Sequence, residues 1–386
     1  MNPAFPAPSA DDDLFEAETY SDWVGRSIQA RTLRADAIPL FESTISEPTT
    51  ALFEIIRQAF STALSPHYVS VFAGGNSFAL DALAARYGIP RRQLISTTGA
   101  TSAIGMALRA LIHPGDRVLV ETPGFDLLGR LAEEAGAGVD RVRRPAPDFR
   151  VDLADLRANL TPRTRAVMIT NLHNPSGAWL SPAEICEIAA VAAETGAVLI
   201  VDEVYADFAQ PNVAPPAAML APNVVTVSSL TKVFGLFSLK FGWLCAAPDL
   251  LARIRASAPD GDVGISKLSH AIAADVLDQS AVFDRHWTTL LAIGRPIVAR
   301  HVSAMTAEGL LEGDLPEFGC MYFPRVVGVD DTRALASRLW RDHGLLVAPG
   351  EYFDLPGHIR LGFGSDPGET DEGLGRLHAA LAAVRR

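Results

Sequence analysis

The sequence predicts an α/β protein, with a large domain built on a mostly parallel sheet flanked by helices and a smaller α+β domain after it. Three observations carry this. Between Arg91 and Pro248, short apolar runs (RVLVET, RAVMITN, AVLIVDEVY, VVTVSSL) alternate with amphipathic stretches such as GRLAEEAGAG and PAEICEIAAVAAETG. The apolar runs are continuous, Ala197 to Val201 above all, as in parallel strands buried on both faces. From about residue 280 the text changes to a long helical stretch, Ala281 to Glu308, followed by short strands around Tyr322 to Val327 and His358 to Phe363. The expected boundaries are 1–45 for an N-terminal arm or part of the small domain, 46–284 for the large domain and 285–386 for the small domain.

Bulk properties narrow the function. A chain of 386 residues is long enough for two domains, and 48% hydrophobic with 20% charged residues suits a globular protein. The net charge of -12 argues against binding to nucleic-acid backbone, which needs clustered Lys and Arg. Cys186, Cys245 and Cys320 are far apart and outside any CxxC spacing, so neither a disulfide framework nor a metal site is expected, and all three read as buried thiols. The opening MNPAFPAPSADDDLFE lacks the basic start and apolar run of an export signal, and no stretch reaches membrane-spanning length; the cytoplasm is the expected location.

Taken in chain order, the first chemical element is Ser-Thr-Thr-Gly-Ala-Thr-Ser-Ala, small polar residues that open a helical stretch ending at Pro114-Gly115. Free amides at such a helix start hold a phosphate, and Gly99 permits close backbone approach. The bland alternative is an ordinary capped helix. Asn174 follows RAVMITN, Asp202 and Tyr205 close AVLIVDEVY, and Lys232 follows VVTVSSL, so polar groups fall at the ends of successive strands. An open α/β sheet places its ligand crevice there.

An acid such as Asp202 at the end of a buried strand needs a cationic or hydrogen-bonding partner, and a protonated pyridine nitrogen is one. A helix cap is the competing reading. Lys232, between apolar segments, suits an amine made nucleophilic by loss of water, against the alternative of a lysine snorkelling from a loop.

This constellation resembles the class I and II aminotransferases, pyridoxal-phosphate (PLP) enzymes of fold type I. Asn174-Pro175-Ser176-Gly177, Asp202-Glu203-Val204-Tyr205 and Ser229-Leu230-Thr231-Lys232 are similar to three ordered motifs of that family. Gly319 to Pro324 and Val347 to Gly350 are similar to its small-domain segments. The resemblance implies pyridoxal 5'-phosphate bound to Lys232 as a Schiff base, with Lys232 also the proton-transfer residue. It implies Asp202 on the ring nitrogen, Asn174 and Tyr205 on the phenolic oxygen, and Gly99, Ala100, Thr101 and Ser229 on the phosphate. Phe125 is placed to stack on the pyridine, and Arg360, in His-Ile-Arg-Leu-Gly-Phe, to grip the substrate's α-carboxylate.

Three departures stand out. Lys240 replaces the family's phosphate-binding arginine, keeping the charge without the fork. Ser46-Glu47-Pro48 replaces a Gly-Glu-Pro-like element, which leaves open the substrate contacts that the resemblance implies near Ile45. Tyr68 is the counterpart, in a poor local match, of a tyrosine supplied by the neighbouring subunit.

The activity so implied is ping-pong transfer of an amino group between an L-amino acid and a 2-keto acid, in a homodimer. No second arginine stands out for a distal carboxylate, which favours an apolar or aromatic substrate side chain. The same scaffold hosts lyases, decarboxylases and cyclising enzymes, so these are the rivals. A PLP-sensing regulator would need a DNA-binding module, for which the residues before Gly99 supply no basic recognition helix. Neither GxGxxG after a strand, GxxxxGK(S/T) nor GxSxG occurs.

Overall fold

The structure is a computed structural model that describes residues 14–71, 74–209, 215–257 and 265–384. Most of the opening segment that argues against an export signal, residues 1–13, lies outside them.

A seven-stranded sheet organises the chain. Its strands are β1 (Leu94–Thr97), β2 (Arg117–Thr122), β3 (Gly138–Arg143), β4 (Thr164–Thr170), β5 (Val198–Asp202), β6 (Val224–Ser229) and β7 (Gly242–Ala246). They lie in the order β1-β7-β6-β5-β4-β2-β3. All neighbours are parallel except β7, which runs antiparallel to both β1 and β6. The expected mostly parallel sheet is therefore present, and residues alternate between two apolar layers. Val118, Val120, Met168 and Ile200 face one cluster, while Leu119, Val167, Ile169, Leu199 and Val201 face the other. Burial on both faces is why these strands read as unbroken apolar runs.

The N-terminal segment supplies helix α1 (Tyr20–Thr32), capped by the Thr19 side chain on Asp22 N. It then pairs Ile38–Pro39 in parallel with Leu345–Leu346 of the C-terminal part. Helix α2 (Gly99–Leu111) follows β1. Helix α3 (Ser280–Ala307) runs unbroken through the expected boundary at 284/285 and matches the stretch read as helical. Beyond it, β8 (Met321–Tyr322), β9 (Ala348–Pro349) and β10 (Ile359–Gly362) form a small antiparallel sheet with β10 in the centre.

Two of the three cysteines, Cys245 and Cys320, are buried as expected; Cys186 is exposed, because it falls on the solvent face of the helix Pro182–Ala193. No helix among the described residues is long and apolar enough to cross a membrane.

Candidate active site

The parallel strands β4, β5 and β6 end side by side, with Thr170 opposite Asp202 and Asp202 opposite Val227. Asn174, Asp202, Tyr205, Ser229 and Lys232 therefore meet at one edge of the sheet although they are far apart in sequence. Helix α2 begins at the same edge, because Gly242 pairs with Thr97 on one side and Ser229 on the other.

That helix start has no side-chain cap, so its first amides are open to a ligand. Gly99 sits at φ 83°, and a Cβ on Gly242 would lie 2.4 Å from the Gly99 carbonyl carbon and 2.7 Å from Ala100 N. Only glycine at 242 lets the strand approach the helix start this closely. The Ser229 side chain is buried and accepts the Thr231 amide at 3.3 Å. Thr101 is exposed on the first turn. Lys240 is exposed at φ 49°, with Nζ 3.5 Å from the Phe237 ring centre.

Asp202 is 7% exposed. The one hydrogen bond to its carboxylate among the described residues comes from Val204 N at 3.1 Å, and the chain continues in a short 3-10 turn, Ala206–Ala209, not the helix that a capping role would open. Burial pushes its carboxyl from an ordinary 3.8 up to about 7, against the pull of the Lys232 ammonium. Burial also lowers the Lys232 amine below its usual value; its Nζ lies 5.7 Å from the Tyr205 ring centre. The Tyr205 hydroxyl is 2.9 Å from Ser43 Oγ, and burial raises it above the ordinary phenol range.

The lysine's backbone is clamped from the N-terminal side: Ile45 N donates to Lys232 O at 3.1 Å and Thr44 Oγ1 to Thr231 O at 2.9 Å. Ile45 itself points into the core. Its link to the site is thus through its backbone.

Arg360, in the central strand β10, is 0% exposed. Nη1 donates to Asn174 Oδ1 at 2.7 Å and Nη2 to Phe41 O at 2.9 Å and to the Tyr20 hydroxyl. The guanidinium carbon is 4.8 Å from the Tyr20 ring centre and 4.9 Å from that of Phe353. Phe125 stands edge-on to Tyr20 at 5.9 Å.

Behind Asn174 runs a buried relay. Asn174 N donates to Thr170 Oγ1 at 2.9 Å, Thr170 Oγ1 to Glu121 Oε1 at 2.6 Å, and Arg144 Nη1 to Glu121 Oε2 at 2.6 Å. Glu121 and Arg144 are both fully buried, an arrangement that holds only while both charges persist. Tyr20, Ser43, Thr170, Glu121 and Arg144 escaped the sequence reading. Tyr20 and Ser43 lie in a stretch with no period, and the pairing of β2 with β4 is what brings Glu121 to Thr170.

Tyr68 is placed against Lys267, whose Nζ is 4.1 Å from its ring centre. Among the described residues it does not join the cluster around Lys232 within one chain.

A family model for aminotransferase class I and II matches residues 71–377. The chain belongs to that family. The class I and II aminotransferases are PLP-dependent enzymes of fold type I, and this member shares the mostly parallel large sheet of that fold. Capreomycidine synthase of Streptomyces vinaceus is 32% identical over 300 residues, covering 77% of this chain and 76% of its own. A probable N-succinyldiaminopimelate aminotransferase of Mycobacterium tuberculosis is 32% identical over 280 residues, covering 69% and 68%. Among solved structures, a PLP-dependent cyclase, OrfR, superposes with a TM-score of 0.79 at 27% identity, covering 97% of this chain and 98% of that one.

The residues present fit the cofactor. The uncapped start of α2 against Gly242 suits a phosphate, a buried carboxyl short of partners suits a protonated ring nitrogen, and a half-buried amine with no ion pair among the described residues suits a carbonyl group.

Proposed function

We propose that Lys232, Asp202, Tyr205, Asn174 and Arg360 carry amino-group transfer between an L-amino acid and a 2-keto acid in this aminotransferase. The observation that carries the proposal is the meeting of Lys232 and Asp202 at one sheet edge with Asn174 bonded directly to Arg360. PLP supplies the electron sink that stabilises charge at the substrate's α-carbon. Gly99, Ala100 and Thr101 offer amides to its phosphate, with Ser229 and Lys240 beside them, and Phe125 covers its ring. Asp202 keeps the ring nitrogen protonated, while Asn174 and Tyr205 hydrogen-bond the phenolic oxygen.

Arg360 grips the substrate's α-carboxylate, helped by Asn174, which holds one guanidinium nitrogen in place. Burial weakens the Lys232 amine as a base, so more of it is neutral and able to accept the α-proton and return it. The rings of Tyr20, Phe125 and Phe353 near Arg360 favour an apolar or aromatic substrate side chain. Exposure of the purified protein to an amino-acid panel tests the reading: a matching keto acid must form, with pyridoxamine phosphate as the protein-bound product.

A second reading, ring closure within one amino-acid substrate, rests on the similarity to a synthase and a cyclase. It predicts product without any keto acid and without a second substrate.

The homodimer belongs to this proposal too. Phe53, Leu64, Phe237 and Leu268 are 68%, 65%, 60% and 49% exposed, and the helices Thr49–Ala59 and Ser77–Tyr87 both pack on Lys267–Asp278. Apolar side chains so placed are suited to a second copy of the chain. Light scattering should give twice the 41.2 kDa chain mass. The cytoplasm is the proposed setting.

A further inference from the structure

The hydrogen bonds of Arg360 leave no complete fork for a carboxylate. A guanidinium has five N–H bonds, and both of its forks, Nη1 with Nη2 and Nε with Nη2, use Nη2. Both N–H bonds of Nη2 are engaged, one by Phe41 O at 2.9 Å and one by the Tyr20 hydroxyl. Nη1 spends one on Asn174 Oδ1 at 2.7 Å. Nε is buried and has no acceptor among the described residues, which leaves one half of the side fork open. A carboxylate bound through two parallel bonds must therefore displace either Phe41 O or Tyr20.

Phe41 O belongs to backbone that is fixed on both sides, since Gly362 N donates to Leu40 O and Ser43 meets the Tyr205 hydroxyl. Tyr20 is a half-buried side chain at the first residue of α1, held by ring contacts with Phe125, Phe353 and Tyr352. The phenol is the acceptor that can swing away without moving the sheet.

We propose that Tyr20 is a latch on the carboxylate site: its hydroxyl occupies Nη2 of Arg360 and is exchanged for the substrate's α-carboxylate when that group binds. The latch rests on the reading of Arg360 given above. It keeps the buried Nη2 paired between turnovers, since an unpaired donor there is costly. It also weakens every carboxylate ligand, because each must first break the phenol contact. Tyr20 thereby sets the affinity for the carboxylate.

The test uses 3-phenylpropionate, a carboxylate with no amino group to transfer, titrated calorimetrically into the full-length purified enzyme. Tyr20→Phe keeps the ring and removes the acceptor, and Tyr20→Leu provides a second hydroxyl-free variant should the first fold poorly. Both should bind the probe about tenfold more tightly than the wild type, the range expected when a competing bond to a charged group is removed. In an Arg360→Gln background the Tyr20→Phe change should have no effect. Equal or weaker binding by both hydroxyl-free variants, with Arg360→Gln abolishing it, overturns the latch alone. Unchanged binding by Arg360→Gln overturns the carboxylate reading of Arg360 as well.

Discussion

Asp202 carries the cost of a charged group held ready for a cationic partner, so its replacement should stabilise the protein that lacks cofactor. The structure raises this carboxyl from an ordinary 3.8 to about 7, because it is buried with one backbone donor. A raised carboxyl means that the unfolded chain releases its proton first. The resulting loss of stability begins as pH rises above 3.8 and is complete above about 7. At 1.36 kcal/mol for each tenfold change in proton affinity, the full loss is about 4 kcal/mol at pH 8 and less than half of that at pH 5. Asp202→Asn keeps an acceptor for Val204 N and carries no charge, so it avoids the loss.

Urea midpoints of the cofactor-free wild type and variant, compared at pH 5 and pH 8, should show the variant's advantage growing by about 3 kcal/mol between them. With PLP added the order should reverse, because the wild type then gains a charge partner for the carboxylate that asparagine cannot supply, and the variant should lose turnover. A variant no more stable than the wild type at pH 8, or with an advantage independent of pH, would refute the reasoning.

Lys232→Ala should retain noncovalent PLP but fail to trap it on borohydride reduction, so that intact-mass measurement shows the cofactor's added mass on the wild type only; retained turnover without added amines would be incompatible with the proposed role. Gly242→Ala forces a methyl to within 2.4 Å of the Gly99 carbonyl carbon, and PLP affinity measured by fluorescence titration should fall at least tenfold. Arg144→Met strands the Glu121 carboxylate in a fully buried setting and should cost about 3–5 kcal/mol in urea unfolding, with a smaller cost for the double variant Arg144→Met with Glu121→Leu.

By itself the sequence determined which strands lie in the buried sheet, because apolar runs such as AVLIV can be accommodated only where both faces are covered. It also determined which polar residues end those strands, and so the candidates Asn174, Asp202, Tyr205 and Lys232. The burial of Arg360 was not legible, since no local pattern marks an arginine as enclosed, and only the central place of β10 in its sheet enclosed it. Tyr20, Phe41 and Ser43 had no periodicity or motif to mark them; Tyr20 and Phe41 reach Arg360, and Ser43 reaches Tyr205, because the N-terminal segment pairs with Leu345–Leu346 and crosses the site. Likewise the Glu121–Arg144 pair behind Asn174 exists only through strand registry, since contacts between residues far apart in the chain depend on the closed fold and leave no local trace in the sequence.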